Sequence, residues 1–184
     1  VDETDWTKIG TVMDDMASAP MWTDDSPALS VMELRTKARR LEAEQHGLDL
    51  VVVDYLQLMQ SSTPNKDNNR VQEVSEISRG LKQLARELKV PVVALSQLSR
   101  GVEQRASAEP RLSDLRESGS IEQDSDVVIF LYRDGEQNPD AEVELVKAKV
   151  AKHRNGPIGE VPLQFRKATT RFYTVAAREE IAAY

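Results

Sequence analysis

The sequence predicts an α/β fold in which a mainly parallel, twisted sheet is flanked by helices and edged by antiparallel strands. Helical patterns and apolar strand patterns alternate from Ser30 to about Val128, which is typical of parallel strands joined by helices. After Val128 the strand patterns follow one another without an intervening helix, as in antiparallel hairpins. Loops at the carboxyl ends of the parallel strands are therefore the expected site of chemistry.

Three helices are predicted. The first, at about residues 2–19, has apolar side chains at helical spacing: Trp6, Ile9, Met13 and Met16. The second starts with a capping box between Ser30 and Glu33 and ends at Gly47. The third presents one continuous apolar face, made by Val71, Val74, Ile77, Leu81, Leu84 and Leu88.

Apolar segments predict the strands. They lie at about residues 48–53, 90–96, 127–132, 142–151, 160–165 and 171–175, with a short strand or extended piece at residues 21–23. The first two are apolar on both faces and are expected to be fully buried, and the strand that begins at Val127 is expected to be buried as well. The polar segments at residues 61–70 and 99–112 are expected to be loops, the second of them mobile.

Composition limits the classes of function. The chain of 184 residues has no cysteine, which excludes disulfides and thiolate metal sites. Its two histidines, His46 and His153, are too few and too far apart for a histidine metal centre. No apolar run approaches the roughly 18 residues that a membrane span requires. These features predict a cytoplasmic protein that does not enter a membrane.

The net charge of −7 argues weakly against a surface that is coated by nucleic acid. The distribution of charge along the chain is less restrictive. Between residues 147 and 171, one acid, Glu160, stands among seven basic residues: Lys147, Lys149, Lys152, Arg154, Arg166, Lys167 and Arg171. Because a protein that closes around DNA needs positive charge only on its inner surface, the acidic total does not exclude a DNA ligand.

The segment from Asp114 to Val128 carries the most information. Six charged residues between positions 114 and 126 lead directly into the apolar strand that begins at Val127. Arg116, Glu117 and Gly119 form a charged, glycine-containing turn within this segment. Ordinary loops do not concentrate charge in this way before a buried strand, although a solvated loop with a helix cap remains the alternative.

Asp54 and Gln97 end two successive apolar strands. A carboxylate at the end of a dry strand can reach the Mg²⁺ of a nucleotide or its water shell. A glutamine at the end of the next strand can hydrogen-bond the γ-phosphate or the attacking water. Structural alternatives stay open, because such an aspartate can cap a helix or bind a loop amide, and such a glutamine can satisfy strand-end amides.

Lys152 and Arg154 precede a predicted turn at residues 155–157. Side chains two residues apart on an extended strand point the same way, so both could reach out of their own subunit from the tip of a hairpin. Arginine presents a fixed fork that suits the developing charge of a transferred phosphoryl group. A basic hairpin exposed to water is the alternative. His153 should point to the opposite face and receives no role.

Together, the charged turn, the Tyr55–Met59 segment after Asp54 and the basic hairpin resemble the DnaB-type hexameric replicative DNA helicases. The resemblance runs from about Asp2 to about Val175 and implies a RecA-like core. It implies that Arg116, Glu117 and Gly119 hold the phosphates of single-stranded DNA. Arg105, in a second loop that resembles the other mobile loop of the helicase channel, is expected to contact the DNA backbone without reading bases.

The resemblance also assigns roles in ATP hydrolysis. Asp54 would be the Walker B aspartate that holds Mg²⁺, and Gln97 the sensor of the γ-phosphate. Lys152 and Arg154 would reach the γ-phosphate held by a neighbouring subunit, with Arg154 as the arginine finger. The cofactors implied are ATP and Mg²⁺, and the partners are single-stranded DNA, five further copies in a homohexamer, primase and a helicase loader.

Two other classes of protein share these features. A RecA-type recombinase or a clock-type ATPase has the same core, although the charged turn and the basic hairpin argue against both. A non-catalytic, truncated paralogue that binds DNA or a helicase ring would retain the same residues.

A motif needed for ATP hydrolysis is absent from the sequence. No G-x-x-x-x-G-K-[ST] loop occurs, and no glutamate stands in the context of the family's general base. Residues 1–184 are therefore expected to form a single partial domain, the later two-thirds of a RecA-like motor domain, with the N-terminal part of that fold missing. We expect the chain alone not to hydrolyse ATP and to leave an apolar sheet surface exposed.

Overall fold

The computed structural model describes residues 2–61, 70–102, 109–133, 135, 138 and 140–175. Its elements are α1 (Glu3–Ser18), α2 (Val31–Gln45), β1 (Val51–Val53), α3 (Arg70–Leu88), β2 (Val92–Ala94), α4 (Gly119–Asp124), β3 (Val127–Arg133), β4 (Val143–His153), β5 (Gly159–Arg166) and β6 (Arg171–Thr174). Short 3₁₀ turns lie at Leu56–Leu58, Arg100–Val102, Leu112–Ser118 and Lys167–Thr169. None of the helices in these segments is long and apolar enough to cross a membrane.

Local capping interactions fix where α1 and α2 begin. The Ser30 hydroxyl accepts a hydrogen bond from the Glu33 N–H at 3.2 Å, and the Glu33 carboxylate accepts from the Ser30 N–H at 2.8 Å. Asp2 forms the equivalent box with Asp5 at the start of α1. Both helices are confirmed. Helix α2 ends at Gln45, and two residues of positive φ follow it: His46 with φ of 60° and Gly47 with φ of 146°.

The strands form two separate sheets. β1 and β2 are parallel, with Val51 opposite Val92 and Val53 opposite Ala94. The other four strands form an antiparallel sheet in the order β3-β4-β5-β6. The α/β class is confirmed, although the antiparallel sheet is the larger one in the described part of the chain. Residues 21–23 form no strand, since no described strand pairs with them.

Helix α3 contributes more buried apolar residues to the core than any other described element. Its Ile77 is 0% exposed and packs, with Leu81, against Leu56 and Met59 in the turn after β1. Further along the helix a second cluster is formed by Ala38, Leu84, Leu88 and Val90. The predicted apolar face is therefore confirmed except at Val71, which is 46% exposed because it lies in the first turn of the helix.

The predicted burial of the strands is wrong in part. Val52 is 57% exposed and Val93 is 49% exposed, so neither β1 nor β2 is fully buried. In β3, Val128, Phe130 and Tyr132 are buried and alternate with three exposed residues: Val127, Ile129 and Leu131. An apolar run is compatible with cover on one face or on both. The exposed residues of β1, β2 and β3 named here are apolar, so the apolar sheet surface that the sequence predicts to be exposed is present.

Gly80 of α3 packs against Val31, the first residue of α2. A Cβ atom at this position would lie 2.6 Å from Cγ1 of Val31. Overpacking costs about 1–3 kcal/mol, which outweighs the roughly 1 kcal/mol that alanine gains over glycine in a helix. Gly80→Ala is therefore expected to lower the free energy of unfolding in urea. Combined with Val31→Ala, the same change should become neutral or stabilising, and an equal loss in both backgrounds would contradict this packing.

Candidate functional site

The carboxyl ends of β1 and β2 form one edge, and both predicted nucleotide ligands lie on it. The Leu95 N–H donates to the Val53 carbonyl at 3.0 Å, and the Leu56 N–H donates to the Leu95 carbonyl at 2.9 Å. The two strands therefore stay paired up to the point where Asp54 and Gln97 leave the sheet. Both residues are exposed.

The Asp54 carboxylate is available for a cation. It makes no hydrogen bond or ion pair with any described residue, so nothing there supports a capping or loop-binding role. No group of three or more metal-ligating side chains gathers within the described segments. Asp54 would then be a single protein ligand, which suits Mg²⁺ because nucleotide phosphates and water supply its remaining ligands.

Gln57 joins the two strand ends and is absent from the predicted site residues. Its Nε2 donates to the Ser96 hydroxyl at 3.0 Å and to the Gln97 carbonyl at 3.5 Å. Its Oε1 accepts from the Gln97 N–H at 3.4 Å. The strand-end amide is thus satisfied by Gln57, while the Gln97 side chain makes no hydrogen bond to the described residues. The position of Gln57 in the segment that follows Asp54 is the signal that could have identified it.

Lys152 and Arg154 point the same way, as predicted, and both contact the carboxyl end of α4. The Lys152 ammonium donates to the carbonyls of Glu122, Ser125 (2.8 Å) and Gln123 (3.5 Å). The Arg154 guanidinium donates to the Gln123 carbonyl at 3.1 Å. Cations in this position satisfy carbonyls that lack helical partners and complement the helix dipole. Their reach to a neighbouring subunit stays a prediction.

Asp126 connects this hairpin to α3. Its carboxylate pairs with Lys82 and, at 3.4 Å, with Nε of Arg154. The hydrogen bond from Lys82, together with the charges of Lys82 and Arg154, holds the pKa of Asp126 below its usual range. The Arg154 N–H also donates to the Asp126 carbonyl at 2.8 Å. Arg154 is therefore held through both its backbone and its side chain.

His153 packs against the turn that follows it. Its Nδ1 lies 3.2 Å from the Pro157 carbonyl oxygen. The imidazole also occupies the space that a Cβ atom at Gly156 would need. The glycine in this turn is thus explained by close packing of the His153 ring.

The charged segment, which resembles a loop in sequence, has helical secondary structure. Its backbone forms the 3₁₀ turn Leu112–Ser118 and then α4, which starts at Gly119. Gly119 is exposed with φ of −49°, a conformation open to any residue. The side chains of Arg116 and Glu117, and the whole of Arg105, lie outside the described part of the structure. The DNA contacts assigned to these residues stay predictions.

Hydrogen bonds also attach the charged segment to the chain that follows β2 and to α3. The Ser99 N–H, two residues after Gln97, donates to the Asp114 carbonyl at 3.2 Å. On α4, the Ser120 hydroxyl donates to the Ser75 hydroxyl of α3 at 2.7 Å. The hydrogen bond between Ser99 and Asp114 therefore joins two sites that are far apart in sequence. Gln97, at the end of β2, lies two residues before Ser99, and Arg116, in the turn that is predicted to bind DNA, lies two residues after Asp114.

Residues 1–174 match the family described as DnaB-like helicase C terminal domain. The chain belongs to this family. It is 53% identical over 175 residues to the replicative DNA helicase DnaB of Geobacillus stearothermophilus, covering 95% of this chain and 38% of that protein. It is 51% identical over 177 residues to the replicative DNA helicase DnaC of Bacillus subtilis (strain 168), covering 96% and 38%. The chain thus spans well under half the length of these relatives.

The fold agrees with solved helicase structures. One is a DnaB-like replicative helicase described together with its interactions with primase; the TM-score is 0.84 at 39% identity, covering 96% of this chain and 43% of that chain. A second solved structure, described as an ATPase domain, gives the same TM-score of 0.84 and identity of 39%, covering 96% and 62%. The predicted family and the RecA-like fold class are confirmed.

In this DnaB-like domain the basic C-terminal part is less positive than its sequence suggests. Lys147 pairs with Glu160 of the same segment, and acids from outside it pair with four further cations: Lys149 with Glu109, Arg154 with Asp126, Arg166 with Glu142 and Lys167 with Glu144. Lys149 holds the pKa of Glu109 below its usual range by a hydrogen bond and by its charge. Much of the predicted basic surface is thus neutralised within the domain.

Proposed function

We propose that this chain is part of the motor domain of an ATP-dependent replicative DNA helicase. The whole protein would translocate along single-stranded DNA as a homohexameric ring and separate the duplex. The observation that carries this proposal is the parallel strand pair that brings Asp54 and Gln97 to one edge of a DnaB-like domain. Relatives at 53% and 51% identity are named replicative DNA helicases.

At this edge Asp54 would hold the Mg²⁺ of ATP, directly or through its water shell, and Gln97 would contact the γ-phosphate or the attacking water. Among the described residues, neither the Asp54 carboxylate nor the Gln97 side chain has a hydrogen-bonding partner, and this supports these roles. The glycine-rich loop that cradles phosphates is not in this sequence, so it would come from another part of the whole protein. The chain alone is accordingly proposed to be inactive.

Lys152 and Arg154 would complete the site of a neighbouring subunit. Arg154 is exposed, and among the described residues its side chain contacts one backbone carbonyl and one surface carboxylate. Such interactions are weak in water, so phosphate oxygens can replace them at little cost. A guanidinium would then stabilise the charge that develops on the transferred phosphoryl group.

The turn that carries Arg116, Glu117 and Gly119 would hold DNA phosphates on the inner wall of the ring, together with Arg105. The bond between Ser99 and Asp114 supports communication from the nucleotide edge to this turn. A helicase loader and primase would be further partners of the whole protein. Phosphate contacts of this kind position the strand without reading its sequence.

The test is DNA binding by the full-length protein, with wild-type unwinding of a forked duplex in the presence of ATP as the reference activity. Arg116→Ala is expected to weaken binding to single-stranded DNA for every sequence tried. The slope of log K against log salt should become shallower by about 0.7 for each DNA phosphate that the variant no longer neutralises.

Arg40→Ala is the matched control, because Arg40 is an exposed arginine on α2 that pairs only with Glu44 among the described residues. It should leave both the affinity and the salt slope unchanged. An unaltered salt slope in Arg116→Ala would contradict the DNA-binding role of the turn. Absence of ATP-dependent unwinding by the wild-type protein would favour a non-catalytic, DNA- or ring-binding function.

A further inference from the structure

We propose that Gln57 is a positioning residue of the nucleotide site: its side-chain amide prolongs the pairing of β1 with β2 and fixes the backbone of Gln97. This inference rests on the proposed function, because it concerns the geometry of the γ-phosphate sensor. Gln57 itself is not assigned any contact with nucleotide.

The need for such a residue follows from where the backbone ladder stops. The last main-chain bonds between the strands are those of Leu95 to Val53 and of Leu56 to Leu95. At Leu56 the chain turns away from β1 into a 3₁₀ turn. No backbone group of the first strand therefore remains opposite Gln97, although Gln97 has a peptide N–H and C=O to satisfy.

The Gln57 carboxamide has the same donor and acceptor as a peptide group. Its Oε1 and Nε2 lie 3.4 Å and 3.5 Å from the N and O atoms of Gln97, and Nε2 is also 3.0 Å from the Ser96 hydroxyl. The side chain thus takes the place of a missing strand residue. Because both backbone atoms of Gln97 are held, the direction in which its side chain leaves the sheet is defined.

The turn that presents Gln57 is anchored by buried side chains and by a hydrogen bond to its backbone. Leu56 and Met59, on either side of Gln57, are 3% and 4% exposed and pack against Ile77. The Gln57 carbonyl accepts a hydrogen bond from the Arg70 guanidinium at 2.7 Å. Since apolar anchoring and a charge-assisted hydrogen bond act on the same turn, the carboxamide is held in place before nucleotide binds.

The segment held by Gln57 leads to the predicted DNA turn. Ser96 and Gln97 are fixed by Gln57 at one end, and the Ser99 N–H is fixed by the Asp114 carbonyl at the other. Loosening the first attachment should weaken the link between the phosphate sensor and DNA more than it weakens ATP binding. The expected signature is a lower turnover in the presence of DNA at an unchanged KM for ATP.

The experiment measures ATP turnover of the full-length protein with and without single-stranded DNA. Gln57→Ala should lower the DNA-stimulated turnover roughly tenfold, less than the ~10²-fold that a 1 Å misplacement can cost. Gln57→Glu, which keeps the shape and the acceptor but removes the donor, should lower it as well. Gln60→Ala is the matched control, since Gln60 is an exposed glutamine three residues further on, and it should behave as the wild type.

A double variant separates positioning from a general structural role. If Gln57 acts through Gln97, then Gln57→Ala combined with Gln97→Ala should be no slower than Gln97→Ala alone. The inference would be overturned if the losses of turnover in the two single variants multiplied in the double variant. It would also be overturned if DNA stimulated ATP turnover in both Gln57 variants as much as in the wild type. Either result would leave the proposed function intact. If the wild-type protein shows no DNA-stimulated ATP turnover, the proposed function itself fails, and this inference fails with it.

Discussion

Replacing Arg154 by alanine in the full-length protein is expected to lower DNA-stimulated ATP turnover by about 10³-fold, the lower end of what an arginine finger supplies. The loss should not come from unfolding. Arg154 is exposed, and within its own chain it contacts the Gln123 carbonyl and the Asp126 carboxylate, which are surface interactions of small energy. Steady-state ATP hydrolysis with saturating single-stranded DNA is the measurement. Arg171→Ala, an exposed arginine on β6, is the control and should retain full turnover.

Mixing two inactive variants tests whether Arg154 acts on a neighbouring subunit. In a ring that contains both Arg154→Ala and Asp54→Asn subunits, some interfaces combine an intact Asp54 from one subunit with an intact Arg154 from the next. These interfaces should be complete, so the mixture should hydrolyse ATP although neither variant does so alone. If subunits exchange and turnover does not recover, Arg154 acts within its own subunit or not at all.

The second large effect concerns stability. Ile77→Ala is expected to lower the free energy of unfolding by about 2–5 kcal/mol, because it removes buried methyl and methylene groups and leaves a cavity. Ile77 is 0% exposed and lies among Leu56, Met59 and Leu81, where α3 meets the turn after β1. Urea unfolding followed by far-UV circular dichroism is the appropriate measurement. Trp6 and Trp22 are 65% and 47% exposed, so their fluorescence is a poor reporter of folding.

Two companion variants make the stability result specific. Ile77→Val should cost only about 0.5–1.5 kcal/mol, because most of the side chain remains. Val71→Ala, on the same helix but 46% exposed, should stay within about 0.5 kcal/mol of the wild type. A loss at Val71 as large as that at Ile77 would show that α3 packs through a different face.

Elements with local signals could be predicted from the order of residues alone. The capping box of Ser30 and Glu33 spans four residues, and the apolar spacing of α3 needs only the helical period. The α/β class followed from the order of these patterns. The placement of Asp54 and Gln97 at neighbouring strand ends followed from the same order, because parallel strands joined by a helix end on one side.

Only the tertiary structure shows which strand faces are buried and which residues distant in sequence are in contact. The apolar residues of β1 and β2 are compatible with one covering layer or two, so the exposure of Val52 and Val93 could not be predicted. The pairing of Gln57 with Gln97 joins positions 40 residues apart, and Lys152 meets α4 carbonyls about 30 residues earlier. Such contacts depend on how layers pack in three dimensions, whereas periodicity and capping depend only on neighbours along the chain.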